Sequence, residues 1–122
     1  MNDIVPPSNI EIERTVLASM MTENDEVTEY GSDKLTPEDF YHTDNRIVFE
    51  CIQAMSRSSV SNMSILIVQD ALTMQDGIDY DRAMEMVVNI SSSETSSSIE
   101  THCEILRDKR RQRELLNLCI GS

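Results

Sequence analysis

Three cysteines, two histidines and a crowd of carboxylates between Glu11 and Asp39 are the residues of this chain best equipped for chemistry. A metal site needs such ligands clustered, and neither His42 nor His102 has a companion at ligand spacing. His102 and Cys103 adjoin, but neighbouring helical residues point about 100° apart, which argues against a nucleophile–base pair. Paired carboxylates do general acid–base work in many enzymes; a solvated acidic face accounts for these with fewer assumptions. Gly31, Gly77 and Gly121 are the only glycines, so no glycine-rich phosphate cradle can be assembled. Cys51, Cys103 and Cys119 each fall within an apolar helical stripe, where cysteine behaves as a small hydrophobe, and all three are expected to be buried and reduced. The residues predict no catalytic, cofactor or metal site.

Charge narrows the partners. A net charge of −12 and a pI near 4.4 oppose a phosphate-binding role, because the surface would repel a nucleic-acid backbone. Such a surface suits basic protein partners. Half of the ten basic residues nonetheless lie between Arg107 and Arg113. They read either as a nucleic-acid contact or, better, as a solvated or interfacial helix face with Glu104 and Asp108 pairing at helical spacing. No apolar run reaches membrane-spanning length, and Pro6 and Pro7 stand where a signal peptide would be apolar. These features predict a soluble, cytoplasmic domain.

The elements that position these groups are all helical. Ile47, Val48, Cys51, Ile52 and Met55 mark one face of a central helix beginning at Asp44, its expected cap. Arg46, Glu50, Gln53 and Arg57 are assigned to its wet face, while Phe49 widens the stripe. Residues 1–7 form an extended lead-in, and Ser8 or Asn9 caps a first helix that buries Val16, Leu17, Met20 and Met21. A second helix, capped by Asn24 or Asp25, carries Val27 and Tyr30 and should stop at Gly31. The turn at 35–41 should deliver both Phe40 and Tyr41 to the core. Ser64 caps a fourth helix whose Ile65, Leu66, Ile67 and Val68 suggest heavy burial. Asp76-Gly77 ends it, and a fifth helix presents Ala83, Met84, Val87 and Val88. The serine tract SSSETSSS (91–98) should be a loop. A long sixth helix then runs from Ile99 to at least Ile120, apolar at Ile99-Cys103-Leu106 and Leu115-Leu116-Cys119-Ile120 but charged between, as though leaving its own domain. The prediction is an all-α, roughly six-helix bundle: lead-in 1–7, globular part 8–98, and a final helix 99–122 that starts a truncated hairpin.

The order of short motifs resembles the N-terminal domain of bacterial and phage replicative DNA helicases of the DnaB family. Val5-Pro6-Pro7, Asn9-Ile10-Glu11, Glu13 and Val16-Leu17 are similar to the family's opening P-P-x-N/S-I-E-A-E-x-x-V-L-G. Asp39-Phe40-Tyr41 resembles its D-F-Y, and Arg46, Ile47 or Val48, Phe49 and Ile52 its H-R-x-I-F-x-x-I. Met63-Ser64 with Leu72 is similar to I-D-x-x-T-L-x-x-x-L. Ile99, Ile105 to Lys109, and Arg113 to Leu116 resemble N-I-x-x-Y-x-x-I-V-R-E-K-x-x-x-R-x-L-I. Departures are Ile12 and Ala18 in the first helix, serines and Glu94 for a T-P-S turn, and Arg111-Gln112 for an apolar pair, which bears on how the last helix packs.

The resemblance implies a domain without a motor. In the family it precedes an ATPase that uses ATP and Mg for 5'-3' unwinding, and that part is not in this chain. The domains pair through a helical hairpin into dimers and a trimer-of-dimers collar on the hexamer. The collar docks primase and is a candidate for loader contacts, with no direct nucleic-acid or membrane binding. On this reading Leu115, Leu116, Cys119 and Ile120 lie at the hairpin seam and Glu11 on a partner face. Two rivals remain: a stand-alone acidic decoy of helicase or primase, and a nucleic-acid adaptor using Arg107 to Arg113.

Overall fold

The computed structural model describes residues 6–119, and among them there are six α-helices and no strand. They are α1 (Ile10–Thr22), α2 (Asp25–Lys34), α3 (Thr43–Arg57), α4 (Ile65–Leu72), α5 (Tyr80–Ser91) and α6 (Ile99–Cys119), with one 3₁₀ turn at Pro37–Asp39 before α3. Short polar side chains start the helices by accepting otherwise unpaired first-turn amides. Asn9 accepts from Ile12 N at 3.0 Å, Asn24 from Val27 N at 3.0 Å, Ser64 from Ile67 N at 3.2 Å and Asp79 from Arg82 N at 2.8 Å. Asp44 is not the cap of α3. The helix begins one residue earlier, and Asp44 sits in the first turn paired with Arg82 of α5 at 2.5 Å.

The core lies between α1 and α3, closed by α5 and the first half of α6. Val16, Leu17, Met20, Met21, Val48, Phe49 and Ile52 are fully buried, each contributing roughly 1.5–3 kcal/mol of transfer free energy. Phe40 stacks on Phe49 with centroids 4.7 Å apart. Tyr41 does not follow it inward and stays exposed.

Helix α3 has a second inward row. Asn45, Phe49 and Gln53, spaced by four, are all buried. Gln53 therefore leaves the wet face assigned to it. Its amide donates to Ser32 O at 2.9 Å and Leu35 O at 3.4 Å, satisfying carbonyls at the end of α2 that have no helical partner.

Gly31 does not end α2, which continues a turn further to Lys34. Its role is clearance: a Cβ there would stand 2.6 Å from Met20 Sδ and 2.9 Å from its Cε. Gly31→Ala should change stability by under about 1 kcal/mol, because the gain in helix propensity offsets a shift of the flexible Met20 tip. Gly31→Val adds branches with nowhere to go and should cost about 2–3 kcal/mol. Urea midpoints of the two variants measure the contrast, and equal midpoints would remove the steric account.

The apolar run on α4 turns only partly inward. Val68 and Leu72 are buried, Ile65 is half-buried, and Leu66 and Ile67 are exposed. On α5, Ala83, Met86, Val87 and Ile90 face the core, whereas Met84 and Val88 are exposed.

Candidate interface on the final helix

The serine tract is a loop, as its composition predicts, and it is pinned to α1. Ser96 N donates to Ser19 Oγ at 2.6 Å, and Ser96 Oγ meets His102 Nδ1 at 2.5 Å while accepting from Ser98 N at 3.2 Å. With its hydroxyl held by two neighbours, Ser96 anchors the loop where α6 starts. Ser98 Oγ accepts from Thr101 N at 3.4 Å and opens that helix.

Helix α6 then packs along α1 through Cys103 and Leu106. Burial pushes the Cys103 thiol up to about 12, with Asp39, Glu100 and Glu104 adding to the effect. Cys51 is likewise buried and raised, but Cys119 is exposed, against the expectation of three buried thiols.

The charged middle of α6 does not carry it away from the domain. Arg110 Nε lies 3.1 Å from Asp39 Oδ1, a carboxylate that is almost completely buried and also accepts from Thr36 N at 2.7 Å. Arg113 donates to Pro7 O at 2.8 Å and Glu38 O at 2.9 Å, and its guanidinium stands 5.6 Å from the Tyr41 ring centroid. Partial burial lowers the Arg113 pKa, while Glu13 and Asp39 act the other way. The remaining arginines pair along the helix as the spacing predicts: Arg107 with Glu104 at 3.4 Å, and Arg111 with Asp108 at 2.7 Å and Glu104 at 3.2 Å. The run is thus largely neutralised by its own neighbours. Arg111 and Gln112 are both exposed, so their departure from an apolar pair does not disturb packing on the domain.

Beneath Arg113 lies Glu13, a fully buried carboxylate on α1. It accepts from Tyr41 N at 2.7 Å, His42 N at 3.3 Å and Asn45 Nδ2 at 3.0 Å, fixing the chain where it enters α3. Its register with Val16 and Leu17 was the available signal.

The last turns of α6 separate the predicted seam residues. Leu115 is 61% exposed and Cys119 is exposed beside it, one turn on. Leu116 turns back, half-buried, to line a cleft of about 450 Å³ with Pro6, Tyr41 and Arg113. Ile120 lies outside the described residues. Leu118, at 78% exposure, was not among the sequence candidates and joins Leu115 on the open side. Glu11 is exposed in the first turn of α1, at a separate polar cleft of about 600 Å³ with Thr15, Glu94 and His102. Among the described residues, no three His, Cys, Asp or Glu side chains converge on a metal position, and no helix is long and apolar enough to cross a membrane.

The architecture defines an all-α domain whose last helix is clamped at its middle and left with an apolar end. The same fold occurs in the N-terminal domain of DnaB helicase from Mycobacterium tuberculosis, with a TM-score of 0.78 and 20% identity over 93% of this chain and 81% of that one. It occurs again in the N-terminal domain of DnaB helicase from Helicobacter pylori, described together with that domain's interactions with primase: TM-score 0.71, 22% identity, 89% and 84% coverage. The chain belongs to the DnaB-like helicase N-terminal domain family, whose model matches residues 5–108. It is also 25% identical to the replicative DNA helicase DnaC of Bacillus subtilis over 117 residues, 95% of this chain but only 25% of that protein.

Proposed function

We propose that this chain is the collar-forming part of a replicative DNA helicase, holding motor subunits together in a ring and docking primase. In this role the domain catalyses nothing itself. ATP and Mg belong to a motor domain, and the unwinding of DNA belongs to the whole protein. Membership of the family and the primase interactions described for the Helicobacter pylori domain support the reading. The observation that carries it is the end of α6, where Leu115 and Leu118 stand open on a helix otherwise fastened to its domain. Two exposed leucines on one side of a rigid helix favour burial against a partner helix. Charge agrees, since a −12 surface attracts basic proteins and repels DNA.

Sedimentation equilibrium of residues 1–122 at moderate salt tests the seam. The expected result is a reversible dimer or larger assembly, weakened at least about tenfold by Leu115→Asp with Leu118→Asp. Leu116→Asp is a poorer probe because that side chain also touches its own domain. A monomer at every concentration would count against the seam and leave primase docking to carry the proposal.

A further inference from the structure

A second apolar surface lies away from α6, on the pair α4–α5. Tyr80, Met84 and Val88 follow one another at intervals of four along one side of α5, and all three are exposed. Tyr80 shares a shallow depression of about 370 Å³ with Leu66 and Ile67 of α4, bordered by Gln69 and Asp70. Leu66 is 75% exposed, on a helix that buries Val68 and Leu72. Side chains of this kind, spaced along two turns of helix and about 12 Å long, match the groove that receives the apolar face of another helix.

Charge selects the occupant. From Ser64 to Ser91 the chain has five acids (Asp70, Asp76, Asp79, Asp81 and Glu85) and one base, Arg82. Asp70 borders the depression, and Arg82 is neutralised by Asp44 at 2.5 Å and Glu85 at 2.9 Å, so the charge left around the groove is acidic. A second copy fits poorly. It brings a net −12, and the arginine beside its exposed leucines, Arg111, is already paired with Glu104 and Asp108. Nucleic acid and anionic membranes are repelled by the same rim.

We propose that the α4–α5 face is a docking groove for a basic amphipathic helix of another protein, its aliphatic side chains entering between Leu66, Ile67, Tyr80 and Met84 and its lysines or arginines meeting the acidic rim. The proposal stands on this surface alone and does not depend on the collar reading.

The test is amide chemical-shift mapping of residues 1–122 with an 18-residue synthetic peptide of leucine and lysine, leucines at i, i+3, i+4 and i+7. Two controls accompany it: the same composition scrambled, and the same pattern with glutamate for lysine. The expected result is saturable shifts on α4 and α5 with the patterned basic peptide alone. Tyr80→Ser with Met84→Ser should weaken binding at least about tenfold, and both sites are exposed enough to leave the fold intact. Equal binding of the scrambled peptide, shifts centred on α6 or spread over the domain, or no shifts at millimolar peptide would each overturn the proposal. Shifts at α4–α5 that follow protein concentration alone would assign the groove to a second copy and overturn it too.

Discussion

Glu13→Ala is expected to destabilise the domain by about 3–5 kcal/mol, a third or more of the stability of a typical small domain. The carboxylate gathers three donors, two of them backbone amides of Tyr41 and His42 and the third Asn45 Nδ2. Hydrogen bonds to a charged acceptor are the stronger kind, and each amide left unpaired in a dry site costs about 1–3 kcal/mol. Both abandoned amides lie where the chain turns into α3, so the penalty falls on the helix that orders the core. Glu13→Gln keeps one accepting oxygen and should lose about half as much. Urea unfolding followed by circular dichroism measures both variants, with a melting-temperature fall of about 10–20 °C for alanine. A loss below 1 kcal/mol for alanine would mean that water replaces the carboxylate and that the hub is not structural.

Stability should also fall steeply above pH 9 because of Cys103. Its folded pKa is about 12 against an ordinary value of 9.0, with burial the largest cause and Arg107 the one opposing charge. A raised folded pKa stabilises fully below the unfolded value and is lost as pH climbs toward the folded one, because only the unfolded chain ionises in between. The loss begins near pH 9 and approaches about 4 kcal/mol by pH 12, with about 2 kcal/mol gone at pH 10.5. Cys51 shifts in the same direction and adds to the slope. Subtracting the Cys103→Ala curve isolates the effect, since alanine removes packing equally at every pH but removes ionisation only in alkali. Parallel curves for the two proteins from pH 7 to 10.5 would reject it.

What the sequence made legible is the part set by apolar periodicity. Val16, Leu17, Met20 and Met21, then Val48, Cys51 and Ile52, then Cys103 and Leu106, all occupy the core as their spacing predicts. The serine tract and three of the helix starts were readable for the same reason, local chemistry deciding local structure. The structure departs from that local pattern where a distant partner decides. Gln53 looked wettable until the end of α2 supplied carbonyls for it, and Gly31 looked like a stop until Met20 filled the space beside it. Leu66 and Ile67 looked buried because a run of aliphatics says nothing about how many faces the fold covers. At the end of α6 the apolar pattern was legible but not which leucine turns back, because that depends on how Arg113, reaching Pro7 and Glu38, seats the helix.

Arg110 and Arg113 grip the domain one turn apart, and beyond them α6 runs through Cys119. Mechanically this is a cantilever with a double clamp. The six residues beyond Arg113 extend about 9 Å, so a 10° rocking at the clamp moves the tip by only about 1.5 Å. Cys103 and Leu106 hold the first half of the helix against the core, and the two clamps a turn apart fix its middle against rotation. Whatever meets Leu115 and Leu118 therefore meets them at a bearing set by a buried carboxylate at Asp39 and two backbone carbonyls, and weakening either clamp would change the direction of the contact before it changed its strength.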